Sequence, residues 1–322
     1  MSRYLGIDLG GSTIKWTVLE NSAFTPVETE ETPGDKKAIL SSLSGIIERE
    51  ERLRGAMTAV CIGTPGLVDG KGRIRGDAVN LPGWGNQSPG GSFGTLGDRS
   101  PIVKNDGSLA TLAEARLGAA RDRRNVVGIF IGTGIGGGLI IDGNIYEGTA
   151  HLAGEVGHVV VEPGGAPCPC GKRGCVERYS SGTGMVRLAQ EEADRIDSPL
   201  AEFLRKKNSE IIANGQEARE FSAERMYQDF YPTDELARTV HEISVDRLAR
   251  LVGALINILA PEKLVLGGGV MKSADPILRS LKKKLPQYAV QEISKGCHIV
   301  PASLGSGAGA IGAALYASSI TD

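Results

Sequence analysis

The stretch GEVGHVVVEPGGAPCPCGKRGCVE, residues 154–177, holds three of the chain's five cysteines, Cys168, Cys170 and Cys175, with His158 upstream of them. A Cys-x-Cys-x4-Cys set plus one histidine supplies the four soft ligands of a closed tetrahedral Zn²⁺ site. Four protein ligands leave no coordination position for water, which favours a structural metal over a catalytic one. A disulfide and a set of unliganded thiols are the other readings of these cysteines. Of His151, His158, His241 and His298, His158 is placed best, on a strand expected to lead into the loop. Glu155 and Glu177 bracket the stretch.

A second chemistry sits in the glycine turns. Asp8 stands at the end of the first strand and is followed by Gly10, Gly11, Ser12, Thr13 and Lys15. Glycines let backbone N–H groups approach phosphate oxygens, hydroxyls and a lysine add donors, and the carboxylate is suited to Mg²⁺. The pattern is not a P-loop, because G-x-x-x-x-G-K-[ST] is absent. GTGIGGG (132–138) is a further glycine turn, running from Gly132 through Thr133 and Gly134, in which Thr133 offers a hydroxyl to a phosphate; LGGGV (266–270) follows a strand, and Gly267, Gly268 and Gly269 offer bare backbone to a base or ribose. Each turn alone is weak, but together they favour a bound nucleotide. VKNDGSLATLAEA (103–115) puts Asn105 and Asp106 between a strand and a helix. Asp106 reads either as the helix N-cap or as a general base toward a substrate hydroxyl.

These residues need strands to hold them. Tyr4–Asp8 and Thr13–Leu19 read as strands about a glycine hairpin, 35–54 as a helix, and 57–63 as a buried strand. GIDLGGSTIKWTVL (6–19) can be laid on GIFIGTGIGGGLII (128–141) without a gap, with Asp8 answered by Phe130. Such a repeat suggests two related halves, each opening with a hairpin, although two glycine-rich hairpins can also match by chance. A long helix is expected over 234–260, ending before Pro261, then a strand over 263–270 and a small-residue helix over 305–317. That last helix either packs very closely or presents its N-terminus to an anion. Residues 83–101, rich in Gly, Pro and Ser, read as a surface loop. The expected domains are 1–118 and 119–304, with the helix at 305–322 packing back on the first.

Composition narrows the class. Apolar residues make up 41 % of the 322 and charged ones 23 %, with a formal net charge of −2. Such a chain can bury a sizeable core and lacks a basic footprint for nucleic acid or an anionic membrane. The opening MSRYLGIDLG lacks the layout of a signal peptide, and no apolar run matches a bilayer span. A cytoplasmic location is expected, and there clustered cysteines are more often metal ligands than disulfides.

Together GIDLGGSTIK, GTPGLVD, NLPGW, NDGSLATLAEA, GTGIGGGLIIDG, AGEVGH, CPCGKRGCVE and LGGGV resemble, in order and over nearly the whole chain, the ROK family of sugar kinases and repressors. The resemblance implies an α/β, two-domain, actin-like or hexokinase-like (ribonuclease H-like) fold with an interdomain cleft. It implies ATP-dependent phosphorylation of a hexose at its primary 6-hydroxyl, with glucose foremost. N-acetylglucosamine, N-acetylmannosamine and fructose are alternative substrates. On this likeness Asp106 is the base, and Asn105, Glu155, His158, Glu177 and the backbone at Gly66 bind the sugar. Asp8 and the turn after it handle Mg²⁺ and phosphate, Thr133 and its glycines face the phosphoryl groups, and Gly267–Gly269 face the adenosine. His158 gives one ring nitrogen to structural Zn²⁺ and the other to the sugar. A homodimer or higher homo-oligomer is expected, with no nucleic-acid or membrane partner. Where the family usually reads Glu-Asn-Asp-Ala, this chain has Lys104, Asn105, Asp106 and Gly107. A repressor of the family needs a helix-turn-helix ahead of the first strand, which here starts by about Tyr4; a non-catalytic sensor is disfavoured by the presence of both Asp8 and Asp106.

Overall fold

The computed structural model describes residues 1–75, 81, 83–85, 100–214 and 221–321, with backbone alone over 207–214. Most of the loop expected over 83–101, and Asn80 and Pro82 of the NLPGW motif, lie outside the described residues.

Alternating apolar residues build the first sheet. β1 (Arg3–Leu9) and β2 (Thr13–Glu20) pair antiparallel about the glycine turn, with Asp8 opposite Lys15. The short strands β3 (Ala23–Phe24) and β4 (Glu28–Glu31) both pair with β2. Helix α1 (Lys36–Arg54) begins where the Asp35 carboxylate accepts the Ala38 N–H, and ends at Gly55, whose φ of 91° suits glycine. It buries Ile39, Leu43, Ile46 and Ile47, an apolar stripe at helical spacing. β5 (Ala59–Thr64) runs parallel to β1, the small hairpin β6 (Leu67–Val68) and β7 (Ile74–Arg75) follows, and β8 (Ile102–Asn105) runs parallel to β5. The order is β3-β2-β1-β5-β8 with β4 beside β2. Helix α2 (Asp106–Arg116) leaves β8 directly.

The repeated hairpin returns as β9 (Val126–Ile131) and β10 (Ile135–Ile141), and Phe130 has the same next-to-last place in β9 that Asp8 has in β1. After β11 (Asn144–Ile145) the chain is mostly helical: α3 (Glu177–Ser180), α4 (Gly182–Glu192), α5 (Pro199–Asn214), α6 (Ala223–Arg225) and α7 (Glu235–Leu259). Asp234 caps α7, and Ala260 ends it in the left-handed region just before Pro261. Next come β12 (Lys263–Gly267), α8 (Ala274–Lys284), α9 (Gln291–Ser294), β13 (His298–Pro301) and α10 (Ala308–Ser319). The second sheet is ordered β11-β10-β9-β12-β13.

By contact the chain divides into Met1–Gly128 with Gly137–Gly154 and Ala302–Asp322, and Ile129–Gly136 with Glu155–Pro301. In the first unit α10 lies against β1, β5 and α2 with its small residues inward. A Cβ on Gly6 would strike the Ala310 carbonyl oxygen, and one on Gly312 would strike that of Leu109. Only glycine allows backbones so close. Among the described residues no helix is long and apolar enough to cross a membrane.

Candidate active site and metal centre

In the first unit, backbone geometry gathers two acids. Asp8 is the next-to-last residue of β1, and Asp106 begins α2 at the tip of β8, one strand beyond β5. The helix cap is Asn105 rather than Asp106: the Asn105 Oδ1 accepts the Ser108 N–H at 3.0 Å, and its Nδ2 donates to the Gly66 carbonyl at 3.3 Å. The cap reading of Asp106 is thereby corrected, because the preceding residue satisfies the free amide of the first helical turn. Asp106 occupies the first helical position, where its Oδ1 accepts the Gly107 N–H at 2.7 Å. Gly66 has φ 97°, so its peptide can turn toward Asn105 without strain.

Burial pushes the carboxyl of Asp8 up to about 7; the nearby charge of Asp106 adds to this and Lys15 opposes it. Burial also raises Asp106, against the pull of the Gly107 amide. A carboxylate of raised basicity is a better acceptor for a hydroxyl proton. The turn beside Asp8 is closed by Gly10 N–H to the Thr13 carbonyl at 3.0 Å, and Lys15 Nζ donates to Thr13 Oγ1 at 2.8 Å. A Cβ on Gly309 would lie 2.5 Å from the Asp8 Cγ, so α10 presents bare backbone to that carboxylate. The small-residue helix therefore packs closely, as one of its two sequence readings has it.

Two features of this unit escaped the sequence reading. Fully buried Glu114, eight residues along α2 from Asp106, accepts N–H groups of Ala119, Ser303 and Leu304 at 2.7, 2.9 and 2.8 Å. In sequence it is one polar residue among the alanines of a helix. Lys104 pairs with Glu147 at 2.6 Å beneath the Tyr316 ring, and the other Glu147 oxygen meets His151 Nδ1 at 2.7 Å. Burial pushes the Glu147 carboxyl up, but the hydrogen bonds from Lys104 and His151 outweigh it and hold the group low. Sequence could mark Lys104 only as unusual; its partner is 43 residues away.

The second unit holds the cysteines. His158 lies in a 3-10 turn, Val156–His158, and not on a strand: the His158 N–H bonds the Glu155 carbonyl at 3.1 Å and the Val159 N–H that of Val156 at 3.3 Å, local bonds that a strand does not make. All five cysteines are free, which removes the disulfide reading. Ligand atoms of His158, Cys168, Cys170 and Cys175 all lie within 4.8 Å of one another. The Cys168 Sγ is 3.7 Å from His158 Nδ1, and the Cys170 and Cys175 sulfurs are 3.6 Å apart. Tetrahedral Zn²⁺ with bonds of about 2.3 Å puts sulfurs about 3.8 Å apart, so the set fits this metal. Using Nδ1 for the metal leaves Nε2 of His158 for a second partner.

Also in this unit, the Glu177 Oε2 accepts the Ile135 N–H at 2.9 Å, beside the Gly132–Gly134 turn. Thr133 at the tip of this turn is exposed, as are Gly268 and Gly269 after β12. Gly268, at φ 92°, packs against the backbone of Ile131 where no Cβ fits. Glu155 sits one residue before the 3-10 turn, and its carbonyl accepts the His158 N–H at 3.1 Å. The residues singled out in the sequence divide between the two units: Asp8, Lys15, Gly66, Asn105 and Asp106 lie in one, and Thr133, Glu155, His158, Glu177 and the glycines after β12 in the other.

The model of the ROK family matches residues 4–320. The chain belongs to the ROK family. A glucokinase of Halalkalibacterium halodurans is 32 % identical over 318 residues, spanning 96 % of this chain and 93 % of that protein. An N-acetylgalactosamine kinase of Shewanella sp. is 31 % identical, spanning 97 % and 96 %. The crystal structure of a ROK family glucokinase from Streptomyces griseus in complex with glucose and AMPPNP matches with a TM-score of 0.78 at 25 % identity, covering 99 % of this chain and 100 % of that one. The fold is therefore the actin-like α/β fold of ROK hexokinases. Within the ROK pattern Gly107 stands out: a Cβ there would fall 2.7 Å from the Gly137 carbonyl oxygen, so this chain brings α2 and β10 together backbone to backbone.

Proposed function

We propose that this ROK protein is an ATP-dependent hexose kinase that phosphorylates the primary 6-hydroxyl, with glucose as the foremost substrate. The observation that carries this reading is the pair of buried acids Asp8 and Asp106, both of raised pKa and close enough within one unit for the charge of Asp106 to act on Asp8. Asp106 takes the proton of the sugar 6-hydroxyl as that oxygen attacks the γ-phosphorus; the bond to the bridging oxygen breaks, and ADP leaves with the electron pair. Asp8 would hold the Mg²⁺ that accompanies ATP and neutralises its phosphate charge, and Thr13, Lys15 and the amides of the Gly10–Gly11–Ser12 turn meet phosphate oxygens. In the other unit Gly132, Thr133 and Gly134 face the phosphoryl groups, and Gly267–Gly269 face the adenosine.

Asn105, Glu155, His158, Glu177 and the Gly66 peptide bind the sugar hydroxyls. Zn²⁺ held by His158, Cys168, Cys170 and Cys175 is structural, since the four ligands fill its coordination. With Nδ1 given to the metal, the imidazole of His158 would be held with Nε2 free for the sugar. We place the protein in the cytoplasm, a compartment that free cysteines suit, and as a homodimer or larger homo-oligomer, which light scattering on the purified protein tests.

Likeness to N-acetylhexosamine kinases at similar identity supports a second reading, a sugar bearing a 2-acetamido group. An assay coupled to ADP release, run over glucose, mannose, fructose, N-acetylglucosamine, N-acetylmannosamine and N-acetylgalactosamine, separates them. Glucose with the highest kcat/KM supports the first reading, and an acetamido sugar tenfold better replaces it. Turnover of none of the six overturns the kinase.

A further inference from the structure

We infer that the segment from Cys175 into α4, through Glu177 and Thr183, positions the Gly132–Gly134 turn for the phosphoryl donor. This rests on the reading of that turn as a phosphoryl site and adds residues to it that were assigned only to the sugar or to nothing.

Three residues of the segment grip the turn. Glu177 accepts the Ile135 N–H at 2.9 Å, the Gly182 N–H donates to the Gly132 carbonyl at 2.8 Å, and Thr183 Oγ1 donates to the Thr133 carbonyl at 2.8 Å. The Thr183 N–H reaches the same Thr133 carbonyl at 3.4 Å. A Cβ on Gly134 would run into the Glu177 carboxylate, and one on Gly182 would lie 3.0 Å from the Gly132 oxygen. Both glycines are where the approach requires them.

The direction of these bonds matters. In a trans peptide the C=O and the next N–H point opposite ways. Drawing the Gly132 and Thr133 carbonyls toward the segment sends the N–H groups of Thr133 and Gly134 away from it, side by side. An anion needs amides presented and carbonyl oxygens withdrawn. The grip supplies both. Its start is fixed by the Cys175 end of the metal loop, where the Val176 N–H bonds the Val159 carbonyl at 2.9 Å. Glu177 and Thr183 are thus positioning residues for the nucleotide.

Calorimetric titration of the intact protein with Mg–AMPPNP and, separately, with glucose tests this. Thr183 is exposed, and Thr183→Val keeps its shape while removing the hydroxyl. The expected result is a roughly three- to tenfold weaker affinity for Mg–AMPPNP with glucose affinity unchanged. Glu177→Ala should weaken the nucleotide to a similar degree. Glu177→Gln, whose amide oxygen can still accept the Ile135 N–H, should restore nucleotide affinity to near the wild-type value. Unchanged nucleotide affinity in both Thr183→Val and Glu177→Ala overturns the inference, as does an equal loss of glucose affinity in Thr183→Val. A wild-type protein that binds no Mg–AMPPNP overturns the underlying reading of the turn as well.

Discussion

Gly107 and Gly137 meet backbone to backbone: a Cβ on the first would lie 2.7 Å from the oxygen and 2.8 Å from the nitrogen of the second. Neither obstacle is a flexible side chain, so an added methyl must move α2 or β10. Gly107→Ala should therefore cost about 1–3 kcal/mol of stability, as overpacking does, even though alanine favours helices. It should also lower kcat, because the residue follows Asp106. Denaturant midpoints and initial rates check this; an alanine variant of unchanged stability refutes the steric account.

Asp106→Asn keeps the shape of the side chain and removes its basicity. The turnover should fall by roughly 10²–10⁴-fold, the usual worth of a positioned base, while glucose affinity stays within about an order of magnitude. Near-normal turnover would remove Asp106 from the role of base.

Asp8 makes stability depend on pH in a definite direction. Its folded pKa of about 7 stands above the ordinary 3.8, so folding favours the protonated acid. The contribution is fully present below about pH 4 and lost as pH rises through 7. Asp8→Asn should thus be more stable than the wild type at pH 8, by on the order of 1 kcal/mol, with the gap shrinking toward pH 5. Urea unfolding of the nucleotide-free protein at the two pH values measures it. Mg–AMPPNP, which needs the ionised acid, should bind the wild type more weakly below pH 7; a flat profile argues against Asp8 as its ligand.

How far these residues were legible in sequence depended on whether their partners were local. The hairpin about Gly10, the α2 start at Asn105–Asp106 and the long helix capped by Asp234 each follow from neighbours within a few positions, which patterning records. Lys104 with Glu147, and Glu114 with Ser303 and Leu304, join residues 43 and about 190 positions apart, which no local pattern encodes. Asn105 rather than Asp106 caps α2 because of a backbone angle, not a composition. Gly157 in the 3-10 turn at His158 lies where a Cβ would strike the Ile135 carbonyl oxygen, a proximity invisible until the strands are laid down.

The cysteine set makes a stoichiometric prediction. Elemental analysis should find about one zinc per chain. Cys175→Ser should lower the zinc content, the thermal midpoint and the glucose affinity together, since Cys175 stands two residues before Glu177. Full glucose affinity and an intact fold after chelation would rule out a clip that serves the sugar.

The return of α10 to the first unit also orders events in time. During synthesis, β1 and α2 emerge long before the residues that cover Gly6 and Leu109, and the whole of Glu155–Pro301 is made in between. A nascent chain therefore exposes an open groove on its first sheet until translation has nearly finished. Ribosome pausing or early termination ahead of Ala308 would leave that groove uncovered, a surface for chaperones or for aggregation.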